Sequence, residues 1–273
     1  MVEDGKNKLN SNMLINANKI TSCYIGPQIS PENFIAEHFF LYLAKGAING
    51  YDGHKHYTLK PGECCIVKKN QLIRYNKQKE DGQFEKVIVV FDEPFLKDLK
   101  TKHNISETTS DSNDAFLRIE QNELIPNFIH SLMPYYTNAG KVDENFSNIK
   151  REELLMILLK TNPELSEMFF DFGTPQKINL EEFMNRNYKF NVNIERLAYL
   201  TGRSLSVFKK DFKKVFHQTP SRWLVQKRLQ EAHFQIAKEG KKASDIYLDL
   251  GFEDLSHFSF AFKKKFGFAP SKI

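Results

Sequence analysis

The stretch 205-LSVFKKDFKKVF-216 returns fifty positions later as 255-LSHFSFAFKKKF-266, and a Pro-Ser pair closes each copy. A short apolar segment that ends at glycine precedes each copy, 197-LAYLTG-202 and 246-IYLDLG-251. A short helix, a tight turn with glycine and a second, basic helix are typical of a helix-turn-helix, whose second helix lies in the DNA major groove. The repeat therefore predicts two helix-turn-helix units in this chain of 273 residues.

Each copy has an apolar face when it is built as a helix with about 100° per residue. In the first copy this face contains Leu205, Phe208, Phe212, Val215 and Phe216. In the second copy, which Asp254 would cap, it contains Leu255, Phe258, Phe262, Lys265 and Phe266. We expect both faces to pack in the core of a helical domain.

The opposite face of each copy is polar and basic. In the first copy it carries Ser206, Lys210, Lys213 and Lys214, with Lys209 on its flank. In the second copy it carries Ser256, Phe260, Lys263 and Lys264, with Ser259 on its flank. Most charged helix faces are simply solvated, but four lysines within six positions repel one another unless a polyanion faces them. The pattern therefore favours contact with DNA.

Phe260 occupies the position that Lys210 holds in the first copy. An aromatic ring there can touch a thymine methyl, the one apolar feature of a major groove. It can equally pack against another part of the protein while DNA is absent. The sequence leaves both interpretations open.

A long helix is predicted between the two units. Thr219 and Pro220 suit its N-cap and first position, and Gly240 suits its end. Its buried stripe would contain Val225, Leu229, Ala232 and Ile236. A rod of about 20 residues is about 30 Å long, which is close to one DNA turn of about 34 Å. Such a helix would let the two units address successive major grooves on one face of the duplex.

Charge divides the chain near the same place as the motifs. Residues 178–273 carry 18 Lys+Arg against 10 Asp+Glu, whereas residues 1–177 carry 21 against 24. A basic domain fits a polyanionic partner, although a charge excess also keeps a small domain soluble. Glycine, proline and polar residues make 173–177 the expected linker. We predict a sensor or dimerisation domain over 1–172, β-rich and then helical, and a DNA-binding domain over 178–273, which opens with a helix over 178–188.

Four further motifs lie along this C-terminal region. They are Leu197-Ala198 with Gly202, Phe208-x-x-x-Phe212-Lys213, Arg228-Leu229-x-x-Ala232, and Gly251-Phe252-x-Asp254-x-Ser256-x-Phe258-x-x-x-Phe262-Lys263-x-x-Phe266-Gly267-x-x-Pro270. As a set they make the region resemble the DNA-binding domain of the AraC/XylS family of transcriptional regulators. The resemblance implies base contacts from Ser206, Lys209 and Lys210 in the first unit, and from Leu255, Ser256, Ser259 and Phe260 in the second.

Two positions depart from the family pattern. Tyr247 stands where the family usually has a small residue, and Phe260 stands where it usually has arginine. The first departure alters helix packing within the second unit. The second removes an expected guanine- or phosphate-directed cation, while Lys263 and Lys264 keep their anchoring role toward the DNA backbone.

The N-terminal part is predicted as short strands over 23–25, 39–44, 56–59, 64–68, 72–75 and 87–91. Lys60-Pro61-Gly62-Glu63 suits a type II turn. Because alternation is imperfect, a small barrel or sandwich is favoured over any particular strand order, and the family resemblance implies a cupin-like barrel. The predicted fold class is α+β, with an N-terminal cupin-like β-barrel or sandwich, following helices, and a C-terminal all-α domain with two helix-turn-helix units.

Helices are predicted to follow the strands, starting at Asp92-Glu93-Pro94 and then near 124–136, 146–159 and 163–170, with a polar loop over 101–114. Pro126 and Pro134 are expected to interrupt the helix near 124–136. The helix near 146–159 contains a contiguous apolar run, Leu154 to Leu159, and must be covered on most sides. The barrel alone can cover it, and so can the same helix of a second subunit. The family resemblance favours a homodimer through these helices.

No metal and no cofactor are expected. His54 and His56 are two positions apart and would share one face of a strand, but Lys60 stands where the metal-binding cupin pattern has glutamate. Cys64 and Cys65 lack the C-x-x-C spacing of zinc or redox motifs and should point to opposite faces of a strand. We expect the cysteines to stay reduced, as is usual in the cytosol.

A cytoplasmic, soluble protein is expected. The N-terminus lacks a basic segment followed by an apolar stretch, so no secretory signal is visible. The longest purely apolar run, Leu154 to Leu159, is far too short to span a bilayer.

The favoured function is a sequence-specific transcriptional regulator, most often an activator in this family, with promoter DNA and RNA polymerase as partners. Its N-terminal domain would respond to a small molecule or to a partner protein. Two other classes remain. A cupin-type enzyme with an accessory DNA-binding domain would require a metal, and an architectural DNA binder without an effector would bind without regard to sequence.

Overall fold

The computed structural model describes residues 21–25, 33–103, 114–120, 122–136 and 142–273. In the N-terminal part, the strands are β1 (Thr21–Ile25), β2 (Phe34–Ile35), β3 (His38–Lys45), β4 (Ala47–Tyr51), β5 (His56–Leu59), β6 (Cys64–Val67), β7 (Gln71–Leu72), β8 (Arg74–Gln78), β9 (Glu85–Phe91) and β10 (Phe116–Ile119). The helices are α1 (Glu93–His103), α2 (Leu124–Ser131), α3 (Glu144–Thr161) and α4 (Leu165–Phe170), with a 3-10 turn over Met133–Tyr135.

The strands form a five-stranded sheet with the order β1-β9-β3-β6-β10, a three-stranded sheet with the order β5-β4-β8, and the pair β2-β7. Strand β1 runs parallel to β9, and the other strand pairs are antiparallel. A sheet-rich N-terminal domain therefore precedes a helical C-terminal domain, and the predicted α+β class is confirmed.

The five-stranded sheet is buried on both faces. In β3, Phe39 and Leu41 belong to the core that includes Ile48 and Leu59 of the three-stranded sheet, whereas Phe40 faces the core that contains α1 to α4. A strand covered on both sides has apolar residues at successive positions, which is why the alternation in the sequence is imperfect.

Cys64 and Cys65 lie in these two different cores, as the two-residue period of a strand predicts. Burial raises the pKa of both thiols, that of Cys64 to about 12. Both are free thiols.

Three strands are missing from the sequence-based prediction, namely β2, β4 and β10, and the segment predicted at 72–75 is divided between β7 and β8. Gly50 explains the case of β4, because glycine has low β-propensity. A Cβ atom at Gly50 would lie 2.8 Å from the ring of Phe116 in β10, so the glycine makes room for that ring. The turn at 60–63 is present, with the amide of Glu63 donating to the carbonyl of Lys60 at 3.0 Å and Gly62 at φ +85°.

Two helix boundaries differ from the predictions. Helix α1 continues to His103, so Thr101 is not in a loop, and the rest of the predicted loop lies largely outside the described residues. Pro126 lies in the first turn of α2 and does not interrupt it, since the first turn needs no amide donor there. The second proline, Pro134, lies in the 3-10 turn after α2 has ended.

The C-terminal helices are α5 (Leu180–Asn187), α6 (Ile194–Leu200), α7 (Leu205–Phe216), α8 (Pro220–Glu239), α9 (Ala243–Ile246) and α10 (Leu255–Phe266), followed by a 3-10 turn over Pro270–Lys272. The side chain of Asn179 caps α5 by accepting from the amides of Glu181 and Glu182 at 3.0 and 3.1 Å. Thr219 occupies the N-cap of α8 without a side-chain hydrogen bond. Helix α9 ends at Ile246, so the residues up to Gly251, which the sequence assigned to a helix, form turns instead.

Among the helices of the described ranges, none has the length and apolarity that crossing a membrane requires.

Candidate nucleic-acid interface

Helices α6 and α7 form the first helix-turn-helix unit, and α9 and α10 form the second. Ser204 caps α7, its hydroxyl accepting from the amide of Val207 at 3.4 Å, and Asp254 caps α10, its carboxylate accepting from the amide of His257 at 2.6 Å. Both helices end at a residue in the left-handed conformation, His217 and Gly267. The two units therefore start and stop by the same local chemistry, which accounts for the sequence repeat.

Each of these helices is anchored by two phenylalanines that are 0% exposed, Phe208 and Phe212 in α7, and Phe258 and Phe262 in α10. Trp223 of α8 packs edge-on against Phe212 with 5.7 Å between ring centroids. Burying aromatic rings of this size fixes how α7 and α10 are rotated. The opposite faces of both helices are thereby held toward solvent.

The structure places the predicted contact residues on this outward surface. Exposed residues of the set are Ser206, Lys209, Lys210, Lys213, Lys214, Leu255, Ser256, Phe260, Lys263 and Lys264, and Ser259 is half-buried. Two predicted core positions are wrong, because Val215 is 41% and Leu255 is 39% exposed. Each lies at the edge of its apolar arc, where neighbouring helices do not cover the side chain.

Phe260 is 70% exposed, so it does not pack against the parts of the chain that the structure describes. Contact with a thymine methyl, the first of its two interpretations, stays a prediction. The ring lies on the same surface as Lys263 and Lys264.

The one acid within α7, Asp211, pairs with Arg203 and not with the exposed lysines of its own helix. It accepts a hydrogen bond from Nε of Arg203 at 3.1 Å, and Lys177 lies 3.8 Å away. The hydrogen bond from Arg203 holds the pKa of Asp211 below its usual range. Within the described part of the chain, no carboxylate forms an ion pair with the predicted contact lysines of α7 or α10. This surface is therefore open to an anionic ligand.

Lys265 has a structural role that the sequence analysis did not find. Its Nζ donates to the carbonyl oxygen of Gln226 in α8 at 2.8 Å, and burial lowers its pKa. The position of this lysine on the apolar arc could have indicated such a role. Lys265 connects α10 to α8 and does not belong to the outward surface.

Gly202 makes the turn of the first unit possible in two ways. Its φ is +65°, and a Cβ atom there would lie 2.4 to 2.5 Å from backbone atoms of Gln176 and Lys177. The chain that enters the C-terminal domain thus passes directly over this turn.

We expect Gly202→Ala to destabilise the C-terminal domain by about 1–3 kcal/mol, because it adds backbone strain and a clash that only backbone movement relieves. Thermal unfolding followed by circular dichroism measures this change. Gly240→Ala is the matched control, since Gly240 has φ +64° but a Cβ atom added there would meet nothing within 4 Å. Equal losses for both variants would show that close approach at Gly202 contributes nothing.

His54 does not share a strand face with His56, because it lies in the turn before β5. The carboxylate of Asp52 accepts from the amides of His54 and Lys55 in this turn at 2.8 and 2.7 Å, while His56 stacks on Tyr51. Within the ranges that the structure describes, no three His, Cys, Asp or Glu side chains come together as a metal site requires.

Comparison with known proteins matches both halves of the chain. Residues 38–168 match the ExsA N-terminal regulatory domain, and residues 197–273 match a helix-turn-helix domain. The chain is 21% identical to the HTH-type transcriptional regulator ExsA of Pseudomonas aeruginosa over 93% of its length and 92% of ExsA. It is 28% identical to the virulence regulon transcriptional activator VirF of Yersinia enterocolitica over 46% of its length, so this match spans about half of that relative (47%).

The solved structures that the chain matches include an apo variant of ToxT from Vibrio cholerae, at 16% identity over 93% of each chain with a TM-score of 0.42. The chain thus combines a sheet-rich domain with two helix-turn-helix units. Residues 197–273 form an AraC-type helix-turn-helix domain, and the relatives of the chain are described as transcriptional regulators.

Proposed function

We propose that this protein binds specific promoter sequences in double-stranded DNA through α7 and α10 and thereby activates transcription. The observation that carries the proposal is the pair of capped helices, each anchored by two buried phenylalanines. Their opposite sides carry exposed serines and lysines that pair with no carboxylate of the described residues. The match of residues 197–273 to a helix-turn-helix domain supports it.

Contacts to the DNA would divide into two kinds. Lysines neutralise phosphates or reach base edges and supply most of the affinity. In this chain they are Lys209, Lys210, Lys213, Lys214, Lys263 and Lys264. Ser206 and Ser256 lie in the first turn of their helices, which is the part of a recognition helix that meets base edges. Leu255, Ser259 and Phe260 complete the surface of the second unit, where an apolar ring fits a thymine methyl.

We propose the domain boundaries at 1–172 and 178–273, with 173–177 as linker, and control of DNA binding through the N-terminal domain. Contacts between the two parts support this. Arg74 of β8 donates to the carbonyl oxygen of Asp249 in the turn of the second unit, and its Nε lies 3.5 Å from the Asp249 carboxylate. Phe34 of β2 packs edge-on against Tyr199 of α6 with 6.4 Å between ring centroids. A signal that moves the sheet domain would therefore act on both units.

We expect Arg74→Ala to accelerate amide exchange of residues 249–254 about tenfold, because a charge-assisted hydrogen bond contributes about 1.5 kcal/mol. Hydrogen–deuterium exchange of the full chain measures this. Arg118→Ala is the matched control, since Arg118 pairs with Glu63, another residue of the sheet domain, and is 63% exposed along its side chain. Unchanged exchange after Arg74→Ala would contradict a route through this contact.

A homodimer through α3 is part of the proposal. Leu154, Leu155 and Leu158 are 0% exposed and packed within the chain, but Ile149 is 61% exposed and Phe146 and Met156 are each 41% exposed. Ile149 follows Phe146 by three positions and Met156 follows Ile149 by seven, so the three side chains lie on one outward face of the helix. A second copy of the helix would cover this face.

Ile149→Glu is expected to convert dimer to monomer without unfolding the domain, because a charge would be buried in the dimer but solvated in the monomer. Sedimentation velocity of the full chain at micromolar concentration measures the change. Phe234→Glu, which alters another exposed apolar residue (53%) on α8, should leave the mass unchanged. A monomeric wild-type protein would refute the dimer.

The controlling signal is proposed to be a small molecule or a partner protein, and RNA polymerase the target of activation in the cytoplasm. A cavity of about 430 Å³ in the sheet domain, lined by residues that include Tyr57, Arg118 and Glu167, is large enough for a small molecule. We propose no enzymatic activity, in keeping with relatives that are described as transcriptional regulators.

The test of the proposal is to incubate the full chain with sheared DNA of its source organism at about 0.15 M salt, where nonspecific binding is weak, and to sequence what is retained. Recovery of one short motif upstream of a few genes is expected. Recovery of unselected DNA, with affinity set by salt alone, would instead identify an architectural binder. Metal analysis of the purified protein tests the enzyme alternative, which requires a bound ion.

A further inference from the structure

The C-terminal domain contains two separate hydrophobic cores rather than one. The core of the first unit includes Phe208, Phe212, Trp223 and Leu224, and that of the second unit includes Leu229, Ala232, Phe258 and Phe262. Helix α8 contributes to both and is the chain segment that joins them. The position of one unit relative to the other therefore depends on what happens along α8 at the boundary between the cores, between Leu224 and Leu229.

Arg228 lies at this boundary and is only 8% exposed. Its guanidinium donates three hydrogen bonds to backbone carbonyl oxygens: Nε to Tyr188 at 2.7 Å, Nη1 to Gly251 at 2.8 Å and Nη2 to Phe190 at 2.8 Å. Burial lowers the pKa of Arg228 to about 10. Burying a charged guanidinium costs free energy unless hydrogen bonds compensate it. Here the three carbonyl oxygens provide that compensation.

The three carbonyls belong to different units. Tyr188 and Phe190 lie in the turn between α5 and α6, which supports the first unit, and Gly251 lies in the turn of the second unit. The guanidinium of Arg228 is therefore a polar connection between both turns and the helix that joins them.

Gly251 allows the backbone to come close to the guanidinium of Arg228. Its φ is +80°, and a Cβ atom there would lie 2.9 Å from Cζ and 3.0 Å from Nη2 of Arg228, and 2.7 Å from the carbonyl oxygen of Lys189. The close approach of this turn to the guanidinium therefore leaves no room for a side chain at position 251.

We propose that Arg228 is a positioning residue that holds the two helix-turn-helix units at one fixed separation and orientation, so that they engage DNA as a single rigid body. The inference rests on the proposed function, since it concerns how α7 and α10 reach the same duplex. The planar guanidinium has donors on three nitrogens, so it can bond three carbonyl oxygens from different segments at once. An apolar side chain has no donor, and the ammonium group of lysine has a single nitrogen. Because α8 joins the two units, binding of the second unit is intramolecular, and prior alignment raises its effective concentration.

Substitution at Arg228 should therefore separate two-unit binding from one-unit binding. We expect Arg228→Met to weaken binding to a duplex with both half-sites about tenfold, because alignment of the second unit is lost. Binding to a duplex in which the bases under the second unit are scrambled should stay within about twofold of wild type. Arg228→Lys, which keeps the charge but not the fork, should give an intermediate loss. Arg222→Met, which removes an exposed arginine of the same helix, should change both affinities equally.

The separation itself is measured without DNA by pulsed electron-electron resonance on the full chain. Spin labels at Lys209→Cys and Lys264→Cys report the distance between α7 and α10 when Cys23 is replaced by serine, since the other thiols are buried. We expect one narrow distance distribution in wild type and a broad one after Arg228→Met, with circular dichroism showing that the helices persist. Gly251→Ala, which pushes the turn off the guanidinium, provides a second variant should Arg228→Met fail to fold.

The distance measurement and the affinity measurement can each contradict the proposal without the other. Equal distance distributions in wild type and in the folded Arg228 variants would overturn the positioning role, whatever DNA is bound. Equal affinity losses on the complete and the scrambled duplex would also overturn it, because they indicate a general loss of stability. A wild-type protein that binds no duplex at all would refute the proposed function, while the distance measurement would still decide the role of Arg228.

Discussion

Replacing Lys209, Lys210, Lys213 and Lys214 together by alanine is expected to weaken binding to the recognised duplex about a thousandfold at 0.15 M salt. Each phosphate contact contributes about 0.9 to the slope of log affinity against log salt, which corresponds to about fivefold in affinity at this concentration. The slope should therefore fall by about 3 to 4. Fluorescence anisotropy of labelled duplex across a salt series gives both quantities.

The matched control removes four exposed lysines of the sheet domain instead, at positions 60, 77, 79 and 160. Its net charge changes equally, so long-range attraction to DNA falls equally, but no contact is lost and the slope should hold. Alanine at Lys213 alone should weaken all sequences alike and reduce the slope by about one. If the control and the α7 variant lost the same affinity, α7 would not face the DNA.

The largest effect on stability is expected for Arg151→Ala in the sheet domain. Arg151 of α3 is 5% exposed, its Nε donates to the carbonyl oxygen of Val90 at 2.8 Å, and its Nη2 pairs with Asp92. Its guanidinium also lies 3.9 Å above the ring of Phe95. Removing one member of such a buried pair leaves the other charge uncompensated, which costs about 3–5 kcal/mol.

Urea and thermal unfolding of the full chain measure this loss, which should lower the midpoint of the sheet-domain transition by about 10 °C. Lys102→Ala is the control, because it breaks the exposed pair between Lys102 of α1 and Glu152, the neighbour of Arg151 on α3. Exposed pairs contribute about 0–1 kcal/mol. A loss at Arg151 no larger than that at Lys102 would contradict the view that α3 is fastened to β9 through this arginine.

The C-terminal domain could be predicted closely from the sequence because its signals are local. Caps at Ser204 and Asp254, glycine turns, and phenylalanines at helical spacing all act within a few residues. The same residues fix which face of α7 and α10 points outward, so most of the predicted contact residues are exposed as expected. Val215 and Leu255 differ because the width of a buried face depends on neighbouring helices, which spacing within one helix does not report.

The sheet domain was harder to predict because its order depends on distant pairings. Gly50 hides β4 from a reading based on β-propensity, because this glycine leaves room for the ring of Phe116 in β10, a residue that is distant in sequence. Strands buried on both faces lose the alternation that would mark them. Contacts such as Arg74 with Asp249 join residues 175 positions apart, and no local pattern encodes them.

Helices α7 and α10 are expected to read successive major grooves on one face of a single duplex. Hydroxyl-radical footprinting of the full chain on the duplex recovered from genomic DNA tests this most directly. Two protected patches about 10 base pairs apart on one face are expected, with Lys213→Ala weakening one patch and Lys263→Ala the other. A single patch, or continuous protection that both variants weaken equally, would contradict it.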